Sequence, residues 1–156
     1  MGNTIQNLEN ILTEWGKTIS DLKNKIKNDE NERNASYKTL LLDFLQIIDT
    51  FEQAEIIIEE KKWNENEIAN KAINRLLKAK KKAISVFEKH GVSTMIFENN
   101  LATDNDCKII DTECDRNYPN NYILHTEKKG YYLSKMKDGE IKSENLRSAE
   151  VIIVQN

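Results

Sequence analysis

Proline and glycine are scarce, one Pro and five Gly in 156 residues. Such a chain is not loop-rich, and long uninterrupted helices are expected instead. Cysteine is nearly as rare. Cys107 and Cys114 lie seven apart with no histidine near them in sequence. Two thiols cannot hold zinc without two further ligands, so no metal is expected and both are read as reduced. A large charge of one sign is also missing. The formal net charge of -3 gives no basic field to hold nucleic acid. No apolar run approaches the roughly 18 residues of a membrane span. The first residues carry neither a basic stretch nor an apolar core, so no signal peptide is expected. Gln6 stands where a myristoylation motif needs Ser or Thr. A cytoplasmic protein is the reading these absences suggest.

What remains is polar but not disordered. Charged residues make up 31% and hydrophobic residues 38%, enough for one compact domain or two small units. The first segment carries a heptad: Ile5, Leu8, Leu12, Trp15, Ile19, Leu22 and Ile26 are spaced alternately by three and four. Ile5, Leu12, Ile19 and Ile26 occupy a positions, with Leu8, Trp15 and Leu22 at d. That pattern makes a narrow seam which a second helix must cover, and it favours two parallel strands. Residues 28–36 hold one small apolar residue, Ala35, and no Pro or Gly. A solvated continuation of the helix is expected, with a flexible linker as the alternative.

From Tyr37 the apolar stripe widens. Tyr37, Leu41, Phe44, Ile48 and Phe51 form its spine, flanked by Leu40, Leu45 and Ile47 and extended by Ile56, Ile57 and Ile58. A stripe this wide suits a bundle core. A single helix over residues 4–60 would be about 85 Å long, more than one small globule can cover, so a second copy of the chain is implied. Residues 61–66 read as a turn, with Asn64 as N-cap and Glu67 as its partner. The second helix carries Ile68, Ala72, Leu76, Ala79, Ala83, Val86 and Phe87 and stops at His90-Gly91. Its basic stripe, Lys71, Arg75, Lys78, Lys82 and Lys89, is either a binding face or a solvated face beside Glu52, Glu55 and Glu59.

After Gly91 the period shortens to that of strands. Residues 92–97, 107–114, 122–126, 131–133 and 149–154 read as short strands. Pro119 marks a turn, and Asp138-Gly139 a loop or hairpin tip. The expected fold class is α+β. Residues 1–36 form a long paired helix and residues 37–91 a helical dimerisation region. Residues 92–156 form a small antiparallel β domain.

No catalytic constellation accompanies this layout. A Gly-rich phosphate loop, GxSxG, HExxH and CxxC are all missing. His90 and His125 fall on a helix end and in a strand, where structural roles are the simpler account. A protein of this kind binds rather than catalyses, and no cofactor is expected. An enzyme using Cys107 or Cys114 as nucleophile is the remote alternative.

Three ordered blocks carry a family resemblance. Lys129-Gly130-Tyr131-Tyr132-Leu133, followed by Leu146-Arg147-Ser148-Ala149-Glu150-Val151-Ile152-Ile153-Val154, resembles the GrpE pattern KGY-x-L, then LR-x-A-x-V-x-V. Ile47-Ile48-Asp49-Thr50-Phe51-Glu52-Gln53-Ala54 resembles its V-I/L-D-N-L/F-E-R-A. Val86 to Val92 resembles its helix end, L-x-K-x-G-V. The resemblance implies a parallel homodimer with a four-helix bundle and β wings. It also implies a DnaK-type chaperone as partner, whose nucleotide-binding domain is opened so that ADP leaves. By position it places chaperone contacts at Leu101, Thr103, Glu127 and Ile153. The dimer interface would run through Ile5, Leu8, Leu12, Trp15, Ile19, Leu22, Ile26, Leu41, Phe44, Ile48 and Phe51. The chain departs from the pattern at Asp106-Cys107-Lys108, where the family has His-x-Ala after an Asp-Pro. It also places twelve residues between Leu133 and Leu146, more than the pattern has. A coiled-coil scaffold that kept the fold and lost exchange activity is the alternative.

Overall fold

A computed structural model describes residues 2–137 and 139–156; side chains are described from residue 5 onward, except that of Lys137. The expected hairpin-tip residue Asp138 lies outside this set. Two compact units divide the chain, residues 1–41 and 42–156.

The described residues of the first unit are all helical, part of α1 (Gly2–Glu60). The polar stretch at residues 28–36 continues the helix, because no Pro or Gly interrupts its backbone ladder. The seven seam residues are all exposed, with Leu12 at 64% and Trp15 at 66%.

The second unit begins with the rest of α1. Here the wide stripe divides. Leu45, Ile48 and Ile58 are buried, while Phe44, Ile47, Ile56 and Ile57 stay exposed. Phe44 meets Phe87 edge to face at 6.2 Å between ring centroids. A single 3-10 turn (Trp63–Glu65) leads into α2 (Glu67–Lys89). The N-cap is Asn66, not the expected Asn64. Its side-chain oxygen accepts from the backbone N–H groups of Ile68 and Ala69 at 3.0 and 3.1 Å, which Asn64, held inside the 3-10 turn, cannot do. The helix ends as expected at His90, with Gly91 at φ +80°.

Among the described residues six strands follow: β1 (Val92–Thr94), β2 (Cys107–Glu113), β3 (Ile123–Lys128), β4 (Tyr131–Lys137), β5 (Glu140–Arg147) and β6 (Ala149–Val154). They form two three-stranded sheets, in the orders β1-β4-β5 and β2-β6-β3. All pairs are antiparallel except β2 with β6. The β domain is antiparallel-rich, as expected, and the parallel pair is the one feature of its pairing that the sequence does not anticipate. Alternation along a strand encodes which face is buried, not the direction of its neighbour. The polar connection after Leu133 is itself a ladder, with Ser134 opposite Ser143 and Lys135 opposite Lys142. Ile123, Ala149, Val151 and Ile153 form the core of the second sheet, with Phe97, Ala102 and Cys107 against it.

Candidate functional site

The polar centre of the second unit is an ion network that joins both helices to the strands. Arg147 is the last residue of β5, paired with Tyr131 beside a register shift between Tyr131 and Tyr132, and its side chain reaches α1. Its two terminal nitrogens donate to the two carboxylate oxygens of Asp49 at 2.6 and 2.7 Å. Its Nε and one terminal nitrogen also donate to the Lys129 carbonyl, at 3.2 and 2.8 Å. The guanidinium carbon lies 5.4 Å from the centre of the Tyr131 ring. A planar fork with five donors suits this many fixed acceptors; an ammonium does not.

Two further carboxylates on α1 extend the network. Lys129 pairs with Glu52 at 2.7 Å, and Lys80 of α2 pairs with Glu52 at 3.6 Å and with Glu55. Lys80 is 7% exposed, the one charged residue buried among those described. Two carboxylates beside it offset the cost of taking its charge out of water. The sequence places a basic stripe, Lys71, Arg75, Lys78, Lys82 and Lys89, as a binding face or a solvated face beside these glutamates. All five are exposed, and Lys71 pairs instead with Glu67 on its own helix. Lys80 was missed because it lies off that stripe, on the side of α2 that carries Ile73, Leu77 and Ile84.

Asp49 and Glu52 belong to the Ile47–Ala54 block, and Lys129, Tyr131 and Arg147 to the C-terminal block. Those two blocks therefore converge on one network. Gly130 and Ala149 explain two of their small residues. A Cβ on Gly130 would lie 2.7 Å from the Ala149 backbone nitrogen.

Burial, reinforced by the nearby Glu52 carboxylate, pushes the Tyr131 hydroxyl up to about 12 from an ordinary value of 10. Between those values the unfolded chain loses the proton and the folded chain keeps it. Unfolding is therefore favoured as pH rises through that window. The urea midpoint is expected to fall from pH 10 to 12, and to fall less in Tyr131→Phe. Equal falls in both proteins would show that Tyr131 does not contribute.

The positions that the resemblance assigns to a partner lie apart from this network. Leu101, 36% exposed, is bridged to Tyr122. The exposed Thr103 closes the turn into β2, its carbonyl accepting from Cys107 at 2.9 Å and its hydroxyl bonding Asp106 at 3.2 Å. Glu127 is exposed at a bulge of β3. Ile153 differs from an exposed anchor: it is 3% exposed and packs in the sheet core. Its place in the inward-facing alternation of β6 explains why. In the proposed dimer interface, Leu41 and Ile48 are buried within the single chain, Phe51 is half-buried, and Phe44 is open.

Glu150 is held below the usual carboxylate range by hydrogen bonds from Lys108 and Lys128 on the flanking strands. The hydrogen bond with Asp106 pushes the Tyr132 hydroxyl up. Burial raises the Cys107 thiol, which lowers its thiolate fraction and weakens it as a nucleophile. Cys114 is exposed, and both cysteines are free. Among the described residues no group of three or more His, Cys, Asp or Glu could hold a metal ion. Among the described residues no helix is long and apolar enough to cross a membrane.

Helices with exposed apolar faces thus carry a β-module fastened to α1 by charge. The sequence matches the GrpE family over residues 2–155, nearly the whole chain, and the protein belongs to that family. GrpE proteins are co-chaperones with a nucleotide-exchange role, not enzymes in the ordinary sense. No curated protein matches the sequence.

Proposed function

We propose that this protein is a homodimeric exchange factor that binds the nucleotide-binding domain of a DnaK-type chaperone and promotes release of ADP in the cytoplasm. The observation that carries this reading is the family match, which spans helices and β-module alike. The factor makes and breaks no bond. It binds the open state of the chaperone better than the closed one, and that differential affinity shifts the population.

The exposed faces support a dimer. The seam from Ile5 to Ile26 is exposed among the described residues, and Phe44, Ile47, Ile56 and Ile57 are also exposed on α1. A groove lined by Ala54, Ile57, Ile58, Trp63, Ala72, Ile73 and Leu76 lies between α1 and α2. A second copy covering these faces completes the helical bundle. Leu101, Thr103 and Glu127 are then the chaperone contacts on the β-module, with Ile153 supporting them from the core. The departures at Asp106-Cys107-Lys108 favour a second reading, a scaffold with the same fold and no exchange activity.

Nucleotide linkage separates the two. An exchange factor and ADP oppose each other, so binding to the chaperone must weaken when ADP is present. Titration of a candidate chaperone with this protein, with and without ADP, is expected to show tighter binding without it. Equal affinity in both conditions would favour the scaffold.

A further inference from the structure

Arg147 stands out because its many contacts all serve one joint. It grips Asp49 on α1 with both arms of its fork, holds the Lys129 carbonyl at the start of the β4–β5 hairpin, and lies over the Tyr131 ring. Asp49, Glu52 and Glu55 recur every three residues along one side of α1. Glu52 and Glu55 meet Lys80 of α2, and Glu52 also meets Lys129. Helix, helix and β-module are thus tied at a single place. The Arg147 and Asp49 side chains are less than one-fifth exposed, so the pair is little screened by solvent. Two parallel hydrogen bonds fix direction as well as distance, which a single ammonium contact does not.

We infer that Arg147 is a positioning residue that fixes the direction of the β-module on α1, and that nucleotide exchange depends on that fixed direction. The inference rests on the exchange reading. A factor that opens a cleft must hold its partner at separate places and resist the strain of closing. A β-module on a loose joint would still present Leu101, Thr103 and Glu127 and would still bind. It would then yield, where the fastened module holds the cleft open. Binding and opening are therefore separable at Arg147.

The test uses Arg147→Ala and Arg147→Lys in the full chain, with two readouts. The first is the distance distribution between spin labels at Thr50→Cys on α1 and Thr112→Cys on β2, both exposed positions. Cys107 and Cys114 are replaced by Ala, and labelled chains are diluted with unlabelled protein so that distances report one chain. The distribution is expected to broaden at least about twofold in Arg147→Ala and less in Arg147→Lys. The second readout is release of a fluorescent ADP analogue from the chaperone across a range of factor concentrations. The maximal rate is expected to fall about tenfold in Arg147→Ala, because small misplacements of a working group are costly, while the half-saturating concentration stays within about threefold. Should Arg147→Ala fail to fold by circular dichroism, Arg147→Lys carries the test with the same signs. An unchanged distance distribution would overturn the inference. So would a broadened distribution with an unchanged maximal rate, or a loss confined to the half-saturating concentration, which would make Arg147 a contact residue. If the parent protein itself accelerates no release, the exchange reading fails with the second half of the inference, and the label distances alone decide whether Arg147 fixes the joint.

Discussion

Leu12→Asp is expected to weaken self-association by two to four decades in dissociation constant. Leu12 sits at an a position in the middle of the seam, and its side chain is mostly exposed in the single chain. In a parallel pair each a residue faces its own copy. The substitution therefore removes two buried leucines, worth about 1.5–3 kcal/mol each, or about 3–6 kcal/mol per dimer. It also sets two carboxylates against each other, so the loss should ease as pH falls and they protonate. Sedimentation equilibrium at neutral and acid pH checks both statements. A variant that remains as tightly dimeric as the parent would place the interface in the open faces of residues 44–76 and make the heptad accessory.

Gly91→Ala is expected to cost about 2–5 kcal/mol of folding stability. Gly91 ends α2 at φ +80°, a conformation that costs an L-residue about 1–2 kcal/mol. Its added Cβ would press on the Ser134 carbonyl, a backbone group whose own N–H donates to the Gly91 carbonyl at 2.8 Å. Relief would require helix and strand to part, an overpacking cost of about 1–3 kcal/mol. Gly139 and Gly16 serve as controls. Gly139 has φ +82° but open space, so Gly139→Ala should cost about 1 kcal/mol from strain alone. Gly16 lies in α1 with nothing within 4 Å, and Gly16→Ala should stabilise by up to about 1 kcal/mol. Urea unfolding would show this order; similar midpoints for all three would contradict it.

The helices were legible because their signals are local. The heptad, the wide stripe, the absence of Pro and the His90-Gly91 stop together located α1 and α2. The cap residue was mistaken because two asparagines, Asn64 and Asn66, compete in one turn, and only backbone geometry selects between them. Strand positions followed from alternation, but three properties did not. The parallel pairing of β2 with β6 depends on a connection through three intervening strands. The length of the β4–β5 hairpin was hidden because its solvent-exposed ladder is polar, as a loop would be. The burial of Ile153 depends on which face of β6 meets the core. The ion network was least visible. Asp49, Lys80 and Arg147 are far apart in sequence and individually ordinary, and only the motif blocks around Asp49 and Arg147 hinted that both matter.

Release of a fluorescent ADP analogue from a DnaK-type chaperone tests the central claim most directly. Addition of micromolar amounts of this protein should accelerate release and reach a plateau as the chaperone saturates. A release rate that stays at its spontaneous value throughout the titration, with binding verified in the same samples, would contradict the account.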